Sequence, residues 1–318
     1  MRQIRLVTVL VIVGCVAAAG CTIMPGPSVG TPSTVASSPT PAITSVSASA
    51  TPSPTTVLES PAPKTASKAT VILNAPDMVF SRPEDQLHAP ETFVIDGDSL
   101  TIADRVHKLL VTYRNGQRTG TIPFPDMKIQ DMAIRGDQYY FLDPDQIHVA
   151  EYTLGADKTL HRTAAWNLPA EAWLIRWDGD SLAARLIMSG SWVSVTGSDP
   201  ITPNPKYSLR GHTFEIIDGP LTIKIPVRWE PIEIDLVDRE GDYSYYEVTD
   251  NYTRPDASQV YVSYIYQFDN QGHFIHSYTL HMARGYKPAR EIQIDNGQVY
   301  QLHTTKKTAQ ILRLAPNP

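Results

Sequence analysis

Histidine side chains are the first candidates for chemistry in this sequence, because nine are present and three lie close together. His273 and His276 form an H-x-x-H pattern, and His281 follows. On a strand, residues three apart point to opposite faces, so His273 and His276 cannot share a metal ion. His273 and His281 share a face but would lie about 27 Å apart. The spacing predicts surface histidines and no metal site.

Acidic turns are the second candidates. Asp96-Gly97-Asp98 and Asp295-Asn296-Gly297 resemble fragments of a calcium loop, but no stretch has oxygen ligands at positions 1, 3 and 5 with a glutamate at 12. Aspartate and asparagine also accept local hydrogen bonds in hairpin turns. The pattern therefore indicates turn chemistry.

No nucleophile stands in a recognised catalytic pattern. The sequence contains no G-x-S-x-G, phosphate-binding loop or dinucleotide fingerprint. Ser189-Gly190-Ser191 and Ser194 have no histidine nearby in sequence, which leaves a partner in space open. We predict no catalytic residue and no cofactor from these motifs.

The two cysteines, Cys15 and Cys21, both lie in an N-terminal segment that has the pattern of an export signal. Arg2 and Arg5 make its start positive, and the apolar run 6–17 is shorter than the roughly 20 residues that span a bilayer core. Small residues then precede Cys21. The rest of the chain has no cysteine, so it has no disulfide to stabilise its fold.

Ala18-Ala19-Gly20-Cys21 resembles the lipobox of bacterial lipoproteins. The resemblance implies cleavage before Cys21 and a thioether link from its thiol to diacylglycerol, so that residues 1–20 are a signal peptide and the membrane is bound through lipid. Ile12-Val13-Gly14-Cys15 also fits the box and stays an alternative, with an apolar run of about eight residues. An uncleaved anchor or ordinary secretion is the third hypothesis. Every one of them exports the protein.

Residues 21–69 are predicted to form a disordered tether. Ser, Thr, Pro and Ala dominate, no aromatic residue occurs, and the only charges are Glu59, Lys64 and Lys68. Such a composition cannot bury enough apolar surface to offset its conformational entropy. The tether would space a domain from the membrane, and an O-glycosylated stalk is compatible with that role.

Residues 70–318 are predicted to form one large domain. All 27 aromatic residues lie between Phe80 and Tyr300. This part holds 23 basic and 32 acidic residues, a net charge of −9. A net acidic surface argues against nucleic acid as a partner and against adsorption to anionic lipid.

The domain contains repeats with an offset of 39 residues, seen in Gly97 with Gly136, Asp104 with Asp143, and Tyr113 with Tyr152. Weaker copies follow at Asp178-Gly179-Asp180, Glu240-Gly241-Asp242 and Asp295-Asn296-Gly297. Each copy predicts a strand, a tight glycine turn with positive φ, and further strands.

Four short strands per 40 to 50 residues are typical of a β-propeller blade, so we predict an all-β fold of four-stranded antiparallel sheets. The segment near 70–76 is expected to complete the last blade. Ile102, Val106 and Leu109 are spaced like a helix face. The equivalent positions of the next repeat favour a strand, so we predict strands and not a helix here.

The stretch Phe93–Asp98, the aspartates Asp104 and Asp143, and Tyr113-Arg114-Asn115-Gly116 resemble NHL and YWTD-type repeats of bacterial six-bladed propellers. The tail, 299–303 and 311–314, resembles their closing blade. Between Ala172 and Pro231 the sequence departs from the pattern, with a Pro-rich insertion and one clear turn glycine. Six blades are favoured, with five as the alternative.

Lactonase-like propellers hold a metal in the central channel with carboxylates from several blades. That resemblance makes four aspartates, which come late in first strands, candidate ligands for a metal-dependent hydrolase or lyase. Turn capping explains them better. They are Asp96, Asp178, Asp235 and Asp295.

A dense set of tyrosines offers a binding surface, because tyrosine presents a rigid apolar body with a polar tip. Packing between blades is the favoured explanation, and a carbohydrate or peptide surface is the alternative. The set is Tyr243, Tyr245, Tyr246, Tyr252, Tyr261, Tyr264 and Tyr266.

These patterns together predict a lipid-anchored, exported propeller that acts as a non-catalytic binding or interaction module with a protein or carbohydrate of the envelope. The metal-dependent hydrolase or lyase is the alternative, and a purely structural envelope component is the third hypothesis.

Overall fold

The computed structural model describes residues 55–57, 66–79, 88–125, 127–143, 145, 147–197, 201–227, 229–253, 258–282 and 287–318. The predicted signal peptide, Cys15, Cys21 and most of the predicted tether lie outside these ranges. The described residues all belong to one compact unit, 51–318.

The described chain is all-β, as the sequence predicts, and is built from six sheets. Its single helical element is a 3-10 turn over Pro76–Met78. No helix within the described ranges has the length and apolar character needed to cross a membrane.

Two strands come first in the chain, β1 (Thr55–Val57) and β2 (Ala69–Ala75). Sheet I follows with β3 (Phe93–Asp96), β4 (Ser99–Asp104), β5 (Leu109–Arg114) and β6 (Gln117–Pro123). Sheet II contains β7 (Asp131–Arg135), β8 (Gln138–Asp143), β9 (His148–Leu154) and β10 (Leu160–Asn167). Sheet III contains β11 (Ala172–Asp178), β12 (Ser181–Leu186) and β13 (Trp192–Ser194).

Sheet IV contains β14 (Lys206–Arg210), β15 (Thr213–Asp218) and β16 (Leu221–Pro226), with β1 as its fourth strand. Sheet V contains the long strands β17 (Glu230–Glu240), β18 (Tyr243–Thr253) and β19 (Gln259–Asp269), followed by β20 (Phe274–Thr279). Sheet VI contains β21 (Ile292–Asp295), β22 (Gln298–Thr304) and β23 (Ala309–Leu314), with β2 as its fourth strand.

The predicted glycine turns are confirmed. Gly97, Gly136, Gly179, Gly241 and Gly297 all have positive φ and connect the first and second strands of sheets I, II, III, V and VI. A side chain at Gly97 or Gly136 would meet no atom within 4 Å, so positive φ, and not crowding, requires glycine there.

The stretch between Ala172 and Pro231 is more regular than predicted. Gly211 and Gly219 also have positive φ and form the two turns of sheet IV. The expectation of a single turn glycine is therefore wrong, because these turns, Arg210-Gly211-His212 and Asp218-Gly219-Pro220, lack the Asp-Gly-Asp signature of the other repeats.

β2 supplies the outer strand of sheet VI, the position predicted for the segment near 70–76. It pairs antiparallel with β23, with Ala69 opposite Leu314 and Ala75 opposite Ala309. Leu73 is buried in the cluster that joins sheets VI and I. The two ends of the described domain therefore meet in one sheet.

β1 lies inside the segment predicted as a tether. It pairs in parallel with β16 over three positions, Thr55 with Thr222, Thr56 with Ile223 and Val57 with Lys224. The chain therefore joins sheet IV before it joins sheet VI.

Both faces of the sheets are packed, which explains the dense tyrosines. Tyr246 and Tyr264 are buried between sheets IV and V, and Tyr245 is buried between sheets V and VI. Tyr266 is buried as well, while Tyr243 and Tyr261 are exposed. The core interpretation is confirmed for these four buried rings. Nothing is described of the Tyr252 side chain.

Side-chain hydrogen bonds connect five of the six sheets, I, II, III, V and VI. Thr92, which precedes β3, donates to Asp131 of β7, and Ile175 N of β11 donates to the same carboxylate. Arg176 of β11 donates to Val237 O of β17. Gln301 of β22 donates to His281 O, just after β20, and so joins sheets VI and V. Gln293 of β21 donates to Ile95 O of β3 and so joins sheets VI and I. These bonds link sheets I, II, III, V and VI.

Candidate functional site

The first strands of three sheets enclose a cavity of about 290 Å³. β11 and β12 form one wall, β17 forms a second, and the segment 287–293 leading into β21 forms a third. Nine of its twenty lining residues are charged: Arg176, Arg185, Glu233, Asp235, Asp238, Glu247, Lys287, Arg290 and Glu291. We call this the central cavity.

Asp131 and Arg290 fix the frame of the cavity. The carboxylate of Asp131 is fully buried and accepts from Arg290 Nε at 2.8 Å and Nη2 at 2.6 Å, and from Ile175 N at 2.7 Å. A bidentate Arg–carboxylate pair fixes orientation as well as distance. It holds sheets II, III and VI in register where the cavity begins.

Two carboxyls face each other on one wall of the cavity. Asp235 of β17 and Glu247 of β18 are directly opposite in the antiparallel register, so their side chains lie on the same face of sheet V. Burial raises the pKa of Asp235 to about 7, although its pairing with Arg185 opposes the shift. Burial raises the pKa of Glu247 to about 7 as well. Burial therefore favours the protonated form of both carboxyls.

Glu291 and Lys287 extend this pair towards the mouth. Burial raises the pKa of Glu291, whose Oε1 accepts from Gln301 Nε2 at 2.8 Å. Lys287 Nζ lies 3.8 Å from Glu291 Oε2, and its side chain is 66% exposed. Desolvation lowers the pKa of Lys287, but the carboxylates around it, led by Glu247 and Glu291, outweigh that effect and raise the pKa. The ammonium group of Lys287 therefore already lies beside these carboxylates at the mouth of the cavity.

Arg176 closes the inner end of the central cavity. Its guanidinium carbon lies 4.0 Å from the ring centroid of Trp192, and Nη1 donates to Val237 O at 2.6 Å. Burial lowers the pKa of Arg176. Only 8% of the residue is exposed, and its buried Nε has no hydrogen-bond partner among the described residues.

A second cavity, of about 310 Å³, lies beyond Arg176 and is lined by β3, β7, β11 and β21. Arg135 stacks on Trp177 at its rim, 3.7 Å from the ring centroid. Arg176, Asp238 and Arg290 line both cavities. Each cavity is lined by three arginines, but the central cavity has five carboxyl side chains and the second cavity has two.

The four aspartates considered as metal ligands do not come together as a group. Asp235 lines the central cavity, Asp96 lines the second cavity but is exposed, and neither Asp178 nor Asp295 lines either cavity. Asp178 binds Thr202, and Asp295 accepts from Asn296. Among the described residues, no three His, Cys, Asp or Glu side chains are grouped to hold a metal ion.

The histidines and serines also have local partners. His273 pairs with Asp269, while His281 contacts Ser67 O at 2.9 Å. Ser189 accepts from Ser191 N, and the Ser194 hydroxyl contacts that of Thr196. None of these side chains lines the central cavity.

Sequence patterns alone do not reveal most of the cavity. Glu247 and Arg290 belong to no motif. The only signal in the sequence is the alternation of acidic with apolar residues in Glu233-Ile234-Asp235-Leu236. Asp104 and Asp143, which the repeat places at the ends of second strands, cap turns: each accepts from the backbone N–H two residues further on.

No protein-family model matches this chain, and no curated protein matches it. Among solved structures, a Bacteroides fragilis protein described as exported is 8% identical, covering 84% of this chain and 99% of its own, with a TM-score of 0.41. Virginiamycin B lyase from Staphylococcus aureus, an inactive variant solved with quinupristin, is 9% identical over 74% of this chain and 98% of its own, with a TM-score of 0.34. A computationally designed protein is 7% identical, with 78% and 98% coverage and a TM-score of 0.37. These are β-rich neighbours.

Proposed function

We propose that this protein is a lipid-anchored, exported β-propeller of the NHL or YWTD type that acts as a non-catalytic binding module of the bacterial envelope, with its ligand in the central cavity. The observation that carries the binding role is the cavity itself. It lies where sheets III, V and VI converge and is lined by charged groups together with the aromatic rings of Trp173 and Trp192. Concave sites with a few convergent polar groups are where proteins usually bind small molecules.

The propeller closure is supported by the hydrogen bonds that link sheets I, II, III, V and VI and by the meeting of β2 with β23. Sheet IV contacts both of its neighbours in sequence: Asn204, just before β14, bonds Trp192, and Leu236 N of β17 donates to the Tyr207 hydroxyl. Export and lipid anchoring rest on the sequence around Cys21.

The chemistry of the lining favours binding over catalysis by a hydroxyl, thiol or imidazole nucleophile. No Ser, Thr, Cys or His side chain is among the described residues that line the central cavity. The two carboxyls with a pKa near 7 could move protons, but Arg185 holds one of them in an ion pair. The charged and aromatic side chains that line the cavity are sufficient to bind a ligand by charge and shape.

The test is thermal unfolding of the full chain in mild detergent with three classes of probe: neutral saccharides, short peptides with free ends, and divalent cations with an EDTA control. Because a ligand that binds the native state raises Tm by mass action, one organic class should raise Tm in proportion to the logarithm of its concentration. Mass spectrometry should recover that probe unchanged.

Two outcomes would contradict the proposal. Conversion of the organic probe to a product would show an enzyme. A rise in Tm with Ca²⁺, Zn²⁺ or Mn²⁺ alone, abolished by EDTA, would favour the metal-dependent hydrolase or lyase. The matched control is Asp98→Asn, which changes an exposed turn carboxylate of sheet I away from the cavity.

A further inference from the structure

One side of the central cavity offers a place for an ammonium group. Asp235 and Glu247, opposite each other on sheet V, and Glu291 of the adjoining segment 287–293 bring three carboxyls of raised pKa into the lining of the cavity. Two cations of the described lining pair with them: Arg185 pairs with Asp235, and Lys287 Nζ lies 3.8 Å from Glu291 Oε2 on a side chain that is 66% exposed. A bound ammonium would satisfy these carboxylates more directly.

The other side offers a place for a hydrogen-bond acceptor. Arg176 is nine-tenths buried, and its Nε has no partner among the described residues. A buried donor without a partner costs free energy that an acceptor on a ligand would recover. The flat contact with Trp192 fixes the plane of the guanidinium, so the direction of its donors is fixed as well.

We propose that the central cavity selects a small zwitterion, a free amino acid or short peptide, with its ammonium among the carboxylates of Asp235, Glu247 and Glu291 and its carboxylate on the guanidinium of Arg176. This rests on the binding function proposed above. The volume of about 290 Å³ is at the lower end of the range for small-molecule pockets. Trp173 stands at the mouth, 44% exposed, where it would contact the ligand's apolar part.

Binding should release protons. An ammonium next to a carboxyl favours its charged form, so the pKa values of Asp235 and Glu247 fall below about 7 when the ligand binds and their protons go to the buffer. Affinity therefore rises as pH increases through about 7. The other charged groups that face the pair are Arg176, Arg185, Glu233, Asp238, Lys287, Arg290 and Glu291.

The experiment is isothermal titration of the full chain in detergent with three matched probes: alanyl-alanine with free ends, its N-acetyl form, which lacks the ammonium, and its C-terminal amide, which lacks the carboxylate. The free dipeptide should bind with proton release, measured in two buffers of different ionisation enthalpy. Each blocked form should bind at least about tenfold more weakly, as expected when a charged partner is lost.

Two variants assign the two ends. Glu247→Gln should weaken the free dipeptide and the amide and leave the N-acetyl form unchanged. Arg176→Lys should weaken the free dipeptide and the N-acetyl form and leave the amide unchanged. Asp98→Asn should change none of them, and a matching Tm of each variant shows that it folds.

Equal binding of all three probes, or binding without proton release, would overturn the zwitterion proposal. If no dipeptide form binds while a saccharide raises Tm, the zwitterion is wrong and the binding module stands. If neither peptides nor saccharides bind, both proposals fail.

Discussion

At the scale of single residues, the molecule depends on a few buried charges that join different sheets. Asp131 is the clearest case, since its carboxylate accepts from Thr92, Ile175 and Arg290, which belong to three other parts of the chain. Arg176 does the same between sheets III and V through Val237 O and Asp238. Removing one partner of such a pair leaves the other charge buried without compensation.

Asp131→Asn should therefore lower the free energy of unfolding by about 3–5 kcal/mol, because Arg290 loses its counter-charge in a buried site. The measurement is urea unfolding of the full chain followed by tryptophan fluorescence. Asp180→Asn is the control, since Asp180 is fully exposed and its pair with Arg135 is 3.3 Å long at the surface. An equal loss in the two variants would contradict the role assigned to Asp131.

The pair Asp235 and Glu247 predicts an unusual pH dependence of stability. Their folded-state pKa values, about 7, lie above the ordinary carboxyl values, so the folded state binds more protons than the unfolded state between about 4 and 7. Their contribution to stability is present at low pH and is lost as pH rises through about 7.

Glu247→Gln should remove part of that loss, by at most about 1.4 kcal/mol per pH unit for one carboxyl. The measurement is the urea midpoint of both proteins across this pH range. Parallel curves for the wild type and the variant would show that Glu247 ionises in the folded state as it does in the unfolded chain.

At the scale of elements, β2 completes sheet VI. It is remote in sequence from β23, yet the two strands pair over six positions, and Leu73 is buried on the inner side of β2. The last sheet would otherwise present β23 as an open edge to solvent.

Leu73→Ala should cost about 2–5 kcal/mol of unfolding free energy, as is usual for a large-to-small change in a packed core. Val71 lies on the same strand with 51% of its surface exposed, so Val71→Ala should change stability by no more than about 0.5 kcal/mol. Chemical unfolding of both variants checks this. A similar loss in both would mean that β2 is held by backbone pairing alone.

The sequence predicts the strands and turns well because alternation and positive-φ glycines are local properties. The cavity was not predictable, because side-chain direction in β17 is reset by irregular pairing at Pro231/Glu233 and at Leu236/Asp238. Leu236 is buried between sheets IV and V, whereas Asp238, two residues further on, lines both cavities. Simple alternation would place Leu236 and Asp238 on one face.

At the scale of the whole molecule, the proposed anchor and the charge act together. The part 70–318 carries a net charge of −9, so a membrane of anionic lipid would repel it, and the proposed attachment would depend on the N-terminal lipid. Cys21 is the residue to which that attachment is assigned.

Cys21→Ala should abolish incorporation of radiolabelled palmitate and move the protein from the membrane fraction to the soluble or secreted fraction of expressing bacteria. Cys15→Ala is the matched control and should keep both label and location. Loss of label from Cys15→Ala alone would assign the lipid to Cys15.

The pairing of β1 with β16 has a mechanical consequence. A force that pulls on the chain before Thr55 reaches β1, held over three residue pairs, before it reaches β2, held over six. Under increasing load the short parallel pairing of β1 with β16 should rupture first and let the chain extend as far as β2, while β2 stays paired with β23. With the proposed lipid anchor, this weak pairing would yield before the rest of the fold, and a single-molecule stretching curve would record a small early extension.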